Sequence, residues 1–369
     1  MKIKYKINQS YHFVSFKKKF DNTFVKEIER ANSDKNILIV YDKNIQNTFI
    51  DKFYNSMKLS GCKIFKLELE GSKKNKNEKI LFNILNFLLS NNFSKKSILV
   101  SIGGGVLGDV CGLAASLYLR GMIYFHVPST MTAMVDSCLG GKTAINYKNI
   151  INSIGTYYHA DHVFIFNELI QGLPEKEFLA GIPEILKCGL IKKNKILHTL
   201  KTQRTKILNR DFNTLRKIIF ETLSTKIFFF KHDVFEKNSR LFLNFGHTFA
   251  HAIEMATAKI IKNDFLRHGE AVGIGMICEL FYANNEKTIK VIEDILTSYG
   301  LPTRVIGEKK NSAISLQKLQ HYIYKFIFYD KKKINKHPRF ISLKKLYKPK
   351  IEEMKNLDMI DHAIYRFIT

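Results

Sequence analysis

The sequence has 369 residues, of which 45% are hydrophobic and 12% aromatic, and its formal net charge is +26. This apolar content excludes an intrinsically disordered chain, and the length allows two domains of ordinary size. There is no run of about 18 apolar residues of the kind that spans a membrane, and the first twenty residues lack the apolar block of a secretory signal. We therefore expect a globular protein of the cytoplasm.

The basic charge and the cysteines each raise one alternative. The 59 Lys and Arg against 33 Asp and Glu could indicate nucleic-acid binding, because cations release counterions from phosphates. The excess is spread along the chain, so we expect no nucleic-acid partner and a preference for small anionic ligands. The five cysteines are scattered without a CxxC pair, which predicts reduced thiols and argues against a zinc ribbon.

Three short apolar runs predict parallel strands in the first half of the chain. They cover residues 37–41, 98–102 and 123–127, and each ends at a polar or glycine-rich loop. A basic, polar loop is expected at 70–80, followed by a helix. The second run leads into a glycine-rich loop and then a helix of small residues, and this order of strand, loop, helix and strand predicts a parallel α/β sheet.

After residue 165 the pattern changes, because apolar residues recur at intervals of three and four. That spacing is typical of helices. We therefore predict a Rossmann-like α/β domain over residues 1–165 and an all-α domain over residues 166–369.

Gly103, Gly105 and Gly108 form a GxGxxG pattern between a predicted strand and a predicted helix. Backbone amides and a helix N-terminus in this position can bind a pyrophosphate, although a tight turn explains the glycines equally well. No acid lies about 20 residues further on, which disfavours an ordinary Rossmann dinucleotide fold. Asp109 follows the glycines and could cap the helix or bond to a cofactor.

Three histidines in the second half suggest a metal site. His247 and His251 lie four residues apart on one helix face, and His268 begins the next predicted helix. Two imidazoles and a carboxylate suit zinc and leave a position open for substrate. Glu184 is the best carboxylate, because it lies in an apolar helix where an unpaired acid would be costly. A single histidine is more often structural, but this combination favours a metal site.

A further group of polar residues could bind an anionic substrate. Most lysines in so basic a chain are solvated, but Lys142 and Lys187 lie among small or apolar residues, where a lysine needs an anionic partner. Arg240 and Asn244 are four residues apart and just precede His247, which suits phosphate or carboxylate recognition. The whole group comprises Arg120, Lys142, Asn152, Lys187, Lys226, Arg240 and Asn244.

Five sequence blocks, in this order, resemble the 3-dehydroquinate synthase family of sugar-phosphate cyclases. They are GGGVLGDVCGLAASLYLRG, VPSTMTAMVDSCLGGKTAIN, LPEKEFLAGIPEILKCGLI, SRLFLNFGHTFAHAIE and HGEAVGIGM. The resemblance implies an NAD-binding α/β domain, a helical domain and a homodimer. It implies conversion of 3-deoxy-D-arabino-heptulosonate 7-phosphate to 3-dehydroquinate and phosphate in the shikimate pathway of aromatic amino-acid biosynthesis, with recycled NAD and a divalent metal, zinc or cobalt.

The matching motifs imply roles for individual residues. The implied metal ligands are Glu184, His247 and His268, and His251 would contact substrate and move protons. The implied substrate-binding residues are Arg120, Asp136, Lys142, Asn152, Lys187, Lys226, Arg240 and Asn244. The implied cofactor contacts are Asp42, Gly104, Gly105, Val106, Leu107, Gly108, Asp109, Ser129, Thr130 and Lys142.

Several positions depart from the family pattern. Near the cofactor, Tyr147 replaces a His, Ile151 replaces a Lys and Ser72 replaces a Glu, with Glu70 and Lys76 as candidate stand-ins. Lys331 or Lys332 could add a phosphate contact, although a charge run is more often simply solvated. The alternatives are another NAD- and metal-dependent cyclase of sugar phosphates and an alcohol dehydrogenase similar to glycerol dehydrogenase.

Overall fold

The structure is a computed structural model. It describes residues 1–369 except 32, 33, 35, 59, 60, 149, 262–264, 306–315, 330–336 and 369. Lys331 and Lys332, considered above as phosphate contacts, lie outside the described residues.

The chain forms two compact units, Met1–Pro174 and Glu175–Thr369. The division falls after Pro174 and not after residue 165, because the last strand of the first unit leads directly into a short helix that packs against that strand. This helix, Asn167–Gln171, therefore belongs to the first unit.

The first unit is an α/β structure. Its strands are β1 (Lys2–Ile7), β2 (Ser10–Lys17), β3 (Asn36–Asp42), β4 (Lys63–Leu69), β5 (Ile98–Gly103), β6 (Ile123–Pro128), β7 (Lys142–Tyr147), β8 (Ile150–Tyr157) and β9 (His162–Phe166). Its helices are α1 (Asn22–Ala31), α2 (Asn47–Lys58), α3 (Glu78–Ser90), α4 (Gly105–Leu117) and α5 (Asn167–Gln171).

Seven strands form one sheet in the order β1-β2-β9-β6-β5-β3-β4, and all neighbours are parallel except β1 and β2. Every residue of β5 and β9 is buried, as expected for parallel strands covered on both faces. The three predicted strands are confirmed as β3, β5 and β6. The edge strand β1 directs Lys2, Lys4 and Lys6 outwards, and β7 pairs with β8 in a separate hairpin.

The strand order reverses between β3 and β5. The chain passes from β3 to β4 on one side and then returns to the other side of β3 to form β5. Loops that leave adjacent parallel strands in opposite directions open a crevice at their carboxyl ends, where α/β proteins bind ligands. Asp42 ends β3 and Gly103 ends β5, so both lie at this crevice.

The second unit is mainly helical. Its helices are α6 (Glu175–Leu179), α7 (Ile182–Ile191), α8 (Ile196–Thr202), α9 (Arg204–Leu208), α10 (Phe212–Phe230), α11 (His247–Ile261), α12 (His268–Tyr282), α13 (Glu286–Ser298), α14 (Leu316–Tyr329) and α15 (Leu357–Ile368). The prediction of an all-α domain needs one correction, because Arg339–Ser342 (β10) and Lys350–Glu353 (β11) pair as antiparallel strands. Phe340 and Ile341 are buried there, which explains why this segment is held in the fold.

The helices of the second unit begin and pack for recognisable reasons. Asp211 caps α10 by accepting the Thr214 N–H at 2.8 Å, and Asn285 caps α13 in the same way through Thr288. Every residue of α7 is buried, and α12 is buried almost throughout, so both are central helices. Among the helices that the structure describes, none is both long and apolar enough to cross a membrane.

Candidate metal centre and cofactor site

Three helices of the second unit bring the predicted metal ligands together. Glu184 lies in the first turn of α7, and His247 and His268 are the first residues of α11 and α12. Helix α12 packs against both α7 and α11. The three ligand atoms consequently lie within 4.8 Å of one another, as the sequence analysis expected of a metal site.

The distances fit a tetrahedral divalent ion. Glu184 Oε1 lies 3.6 Å from the Nε2 atoms of both His247 and His268. These separations exceed a hydrogen bond, and among the described residues this buried oxygen has no hydrogen-bond partner. Zinc bonds of about 2.0–2.2 Å at the tetrahedral angle separate their ligand atoms by about 3.3–3.6 Å. The two separations measured from the carboxylate oxygen therefore match zinc or cobalt, and the donor set of one carboxylate and two imidazoles suits the same metals.

The other ring nitrogen of each histidine is held by the protein. His247 Nδ1 lies 3.2 Å from the Phe245 carbonyl oxygen, and His268 Nδ1 lies 3.0 Å from Glu254 Oε2. Such contacts orient a ligating imidazole and leave Nε2 free for the metal. Glu254 was not among the predicted site residues, although its position seven residues after His247 on one helix places both on the same face.

Burial and neighbouring charges set the protonation of the three residues. Burial favours the neutral form of Glu184. This effect is outweighed by Lys187, whose Nζ lies 2.5 Å from Oε2, and by the two imidazoles, so the pKa of this carboxyl is well below its usual range. Burial and Lys187 hold the pKa of His247 well below its ordinary value, so its imidazole is neutral. Burial disfavours the protonated form of His268, but Glu254 and Glu184 raise its pKa to about 10. A metal that binds at Nε2 of His268 therefore displaces a proton from this imidazole.

The remaining predicted residues of this unit lie on elements that pack around the same helices. His251 has its ring centroid 5.4 Å from that of His247 and 6.3 Å from that of His268, and its side chain is exposed. Lys226 is buried on α10, and Arg240 and Asn244 lie on a 3₁₀ helix that packs against α7 and α10.

Two of these polar residues are held by local contacts. Arg240 donates from Nη1 to the Val234 carbonyl at 2.6 Å, and Asn244 donates from Nδ2 to Glu236 Oε1 at 2.6 Å. These bonds fix the direction of each side chain. The guanidinium of Arg240 is a planar group of five N–H donors, which is the kind of group that binds carboxylate or phosphate.

The predicted cofactor residues of the first unit lie at the sheet edge where the strand order reverses. Asp42 ends β3, and a Cβ on Gly71 would lie 2.3 Å from Asp42 Oδ2, so the two chain segments touch. Gly104 is the N-cap of α4 and, as a glycine, supplies no side-chain acceptor for the first amides of this helix. A Cβ on Gly105 would lie 2.9 Å from Ser137 Oγ, which explains this glycine by close packing.

The loop after β6 lies next to the glycine-rich loop. The Ser129 N–H donates to the Gly103 carbonyl at 2.9 Å, and Thr130 Oγ1 accepts the Ala133 N–H at 3.2 Å. Val106, Leu107 and Gly108 continue α4 away from the edge.

Asp109 is part of a polar cluster beside the glycine loop. Lys76 Nζ lies 2.5 Å from both Asp109 Oδ2 and Asn152 Oδ1. Burial raises the pKa of Asp109 to about 6, with Asp136 adding to the rise and Lys76 and Lys142 opposing it. Asp109 therefore pairs with the ammonium group of Lys76 and does not cap α4. Lys76, treated only as a stand-in by the sequence analysis, is its direct partner.

Arg120 lies three residues beyond the end of α4 (Gly105–Leu117), and its side chain is exposed. Among the departures from the family pattern, Ile151 and Tyr147 are exposed on the β7–β8 hairpin and Ser72 precedes a short 3₁₀ helix.

The chain is similar to known proteins in both sequence and structure. The family profiles "3-dehydroquinate synthase N-terminal" and "3-dehydroquinate synthase C-terminal" match residues 66–180 and 181–333. A 3-dehydroquinate synthase of Prochlorococcus marinus (strain MIT 9515) is 35% identical over 319 residues, which cover 84% of this chain and 86% of the relative.

Two solved structures share the fold. A 2-deoxy-scyllo-inosose synthase complexed with carbaglucose-6-phosphate, NAD⁺ and Co²⁺ has a TM-score of 0.85 at 21% identity and covers all of both chains. The 2-epi-5-epi-valiolone synthase of Streptomyces hygroscopicus subsp. jinggangensis 5008, with NAD⁺ and Zn²⁺ bound, has a TM-score of 0.81 at 19% identity and covers 98% of both chains.

Proposed function

The chain belongs to the 3-dehydroquinate synthase family, and we propose that it converts 3-deoxy-D-arabino-heptulosonate 7-phosphate to 3-dehydroquinate and phosphate. The reaction is a step of the shikimate pathway and of aromatic amino-acid biosynthesis, and it makes the protein a phosphate-eliminating lyase. The observation that carries the proposal is the arrangement of Glu184, His247 and His268, whose ligand atoms lie within 4.8 Å of one another.

Glu184, His247 and His268 hold a divalent metal, zinc or cobalt. Both metals suit an imidazole and carboxylate donor set, and each is bound by a solved protein of the same fold. The chemistry supplied by the bound groups is polarisation of substrate hydroxyls by the metal and reversible hydride uptake by NAD.

The polar residues of the second unit bind substrate and move protons. His251 has an exposed imidazole beside the two ligand imidazoles, so a ring nitrogen can take a proton from a substrate hydroxyl and return it. Lys187 offsets the charge of the Glu184 carboxylate. Lys226, Arg240 and Asn244 bind the carboxylate and phosphate of the substrate, which keeps it in one pose through successive steps.

The first unit binds NAD at the carboxyl ends of β3 and β5. The amides at the start of α4, from Gly104 and Gly105, bind the pyrophosphate, while Asp42 bonds to a ribose. Val106, Leu107, Gly108, Asp109, Ser129 and Thr130 complete the cofactor contacts. Arg120, Asp136, Lys142 and Asn152 contact substrate, and Lys142 also contacts NAD.

We further propose a homodimer in the cytoplasm. Every residue of β8 is exposed, including Ile150, Ile151 and Ile154, and an apolar strand of this kind is typical of a contact surface. Ile151→Lys should then reduce the molecular mass measured by light scattering from twice that of the chain to that of one chain. The five cysteines are reduced in the structure, which supports a reducing compartment.

The activity is tested by phosphate release from the heptulosonate phosphate, with NAD and zinc each added or withheld. We expect release only when both are present, without accumulation of NADH, because the hydride is returned. Steady NADH accumulation would instead indicate a dehydrogenase. Glu184→Gln should abolish release, whereas Glu221→Gln on α10 serves as the matched control and should retain it. Release by the metal-free wild-type protein would contradict the proposal.

A further inference from the structure

Glu279 is a fully buried acid on α12, and its side chain is 0% exposed. It lies eleven residues after His268, which is three helical turns further along the same face. Its carboxylate reaches the start of α11. Oε2 accepts the Gly246 N–H at 2.9 Å, and Oε1 accepts the Thr248 N–H at 3.1 Å.

These two amides stand on either side of His247. The first amides of a helix have no acceptor within the helix, and a carboxylate is favoured at this end by the helix dipole. A Ser, Thr, Asp or Asn preceding the helix usually supplies the acceptor. Here residue 246 is glycine at φ +85°, and a Cβ on it would lie 2.6 Å from Met276 Cγ and 2.9 Å from the Val272 carbonyl oxygen. The acceptor therefore comes from α12.

Helix α12 thus fixes two of the candidate metal ligands. It carries His268 as its first residue, and through Glu279 it holds the backbone on both sides of His247. The two helices also touch directly, since a Cβ on Gly275 would lie 2.1 Å from the Gly246 carbonyl oxygen. A single rigid helix therefore sets the separation of the two imidazoles that face Glu184.

We propose that Glu279 is a positioning residue of the metal centre, which holds His247 at the spacing that a divalent ion requires. The inference rests on the proposed function, because it takes Glu184, His247 and His268 as the ligands. A carboxylate that served only as a helix cap would affect the stability of the fold and leave zinc affinity unchanged. Zinc affinity, measured without substrate, therefore separates the two roles.

The test is a zinc titration of Glu279→Gln against a competing chelator. We expect affinity to fall about 10- to 100-fold, the usual effect of losing a residue that supports a metal ligand. The amide keeps the size of the side chain but sets an NH₂ group against an N–H donor. Asp211→Asn is the matched control, because it also removes a charged cap in the same unit, at α10. It should lower stability and keep wild-type zinc affinity.

A folded Glu279→Gln protein with wild-type zinc affinity would overturn the proposal. Where this variant does not fold, Glu279→Asp keeps the charge and shortens the side chain, and wild-type zinc affinity in that variant would overturn the proposal equally. His247→Ala tests the ligand assignment on which this proposal rests. If it binds zinc as tightly as the wild type, the assigned ligands themselves are wrong; if it does not and Glu279→Gln does, only the positioning role is wrong.

Discussion

Replacing His126 should change the pH dependence of stability. This histidine is buried beneath α4, where its Nδ1 lies 2.7 Å from Ser101 Oγ, and burial lowers its pKa from 6.5 to about 4. An unfolded chain then binds more protons than the folded one between these two values. The wild-type protein therefore has its full unfolding free energy above pH 6.5, and the protonation of His126 in the unfolded chain lowers this free energy as the pH falls towards 4.

The size of the effect follows from the two pKa values. A fall from 6.5 to about 4 corresponds to about 3 kcal/mol of unfolding free energy, or about 1.4 kcal/mol for each pH unit. His126→Gln cannot gain this proton. We therefore expect its unfolding free energy to decline less steeply than that of the wild type below pH 6.5.

The assay is urea unfolding of both proteins at several pH values between 7 and 4.5. Tyr124→Phe is the matched control, because Tyr124 belongs to the same hydrogen-bonded group, with its hydroxyl 2.8 Å from Ser101 Oγ, and does not titrate in this range. Its unfolding free energy should be about 1 kcal/mol lower than that of the wild type at every pH, and it should change with pH as steeply as that of the wild type. Equal slopes for His126→Gln and the wild type would refute the reasoning.

Three further substitutions test the cofactor and substrate sites. Gly71→Ala should weaken NAD binding in a fluorescence titration, because its Cβ would lie 2.3 Å from Asp42 Oδ2, whereas Gly172→Ala, with no neighbour closer than 3.6 Å, should not. Lys76→Met should also weaken NAD binding, and unchanged affinity would show that its contacts are only structural. His251→Asn should lower phosphate release by about 10²- to 10⁴-fold and retain stoichiometric zinc, as loss of a proton carrier predicts; loss of zinc would make it a ligand instead.

The sequence was most informative where a residue conflicts with its surroundings. Glu184 was found because an acid in an apolar helix needs a partner, and the same criterion applies to Glu279 in the MICELF segment, where it was not used. Glu254 could have been found by helical spacing from His247. The link between Lys76 and Asp109 could not, because it joins residues 33 apart through the pairing of distant elements.

Fold prediction succeeded for strands with continuous apolar runs and failed for strands that are only partly buried. Residues 37–41, 98–102 and 123–127 became β3, β5 and β6. In contrast, only Leu69 of β4 is buried and the other residues are exposed or half-buried, so KIFKLEL lacks the continuous signal of a buried parallel strand. The β10–β11 hairpin was missed because each strand has only four residues.

The two outer strands of the seven-stranded sheet carry exposed lysines, and this has a consequence for solubility. On β1, Lys4 lies 3.9 Å from the centre of the Tyr11 ring and Lys2 lies 4.4 Å from that of Phe13, so both ammonium groups lie over aromatic rings of the neighbouring strand β2. On β4, Lys63 lies over Phe65 in the same manner. A charged border of this kind repels another sheet that approaches edge to edge, which protects a newly synthesised chain from aggregation.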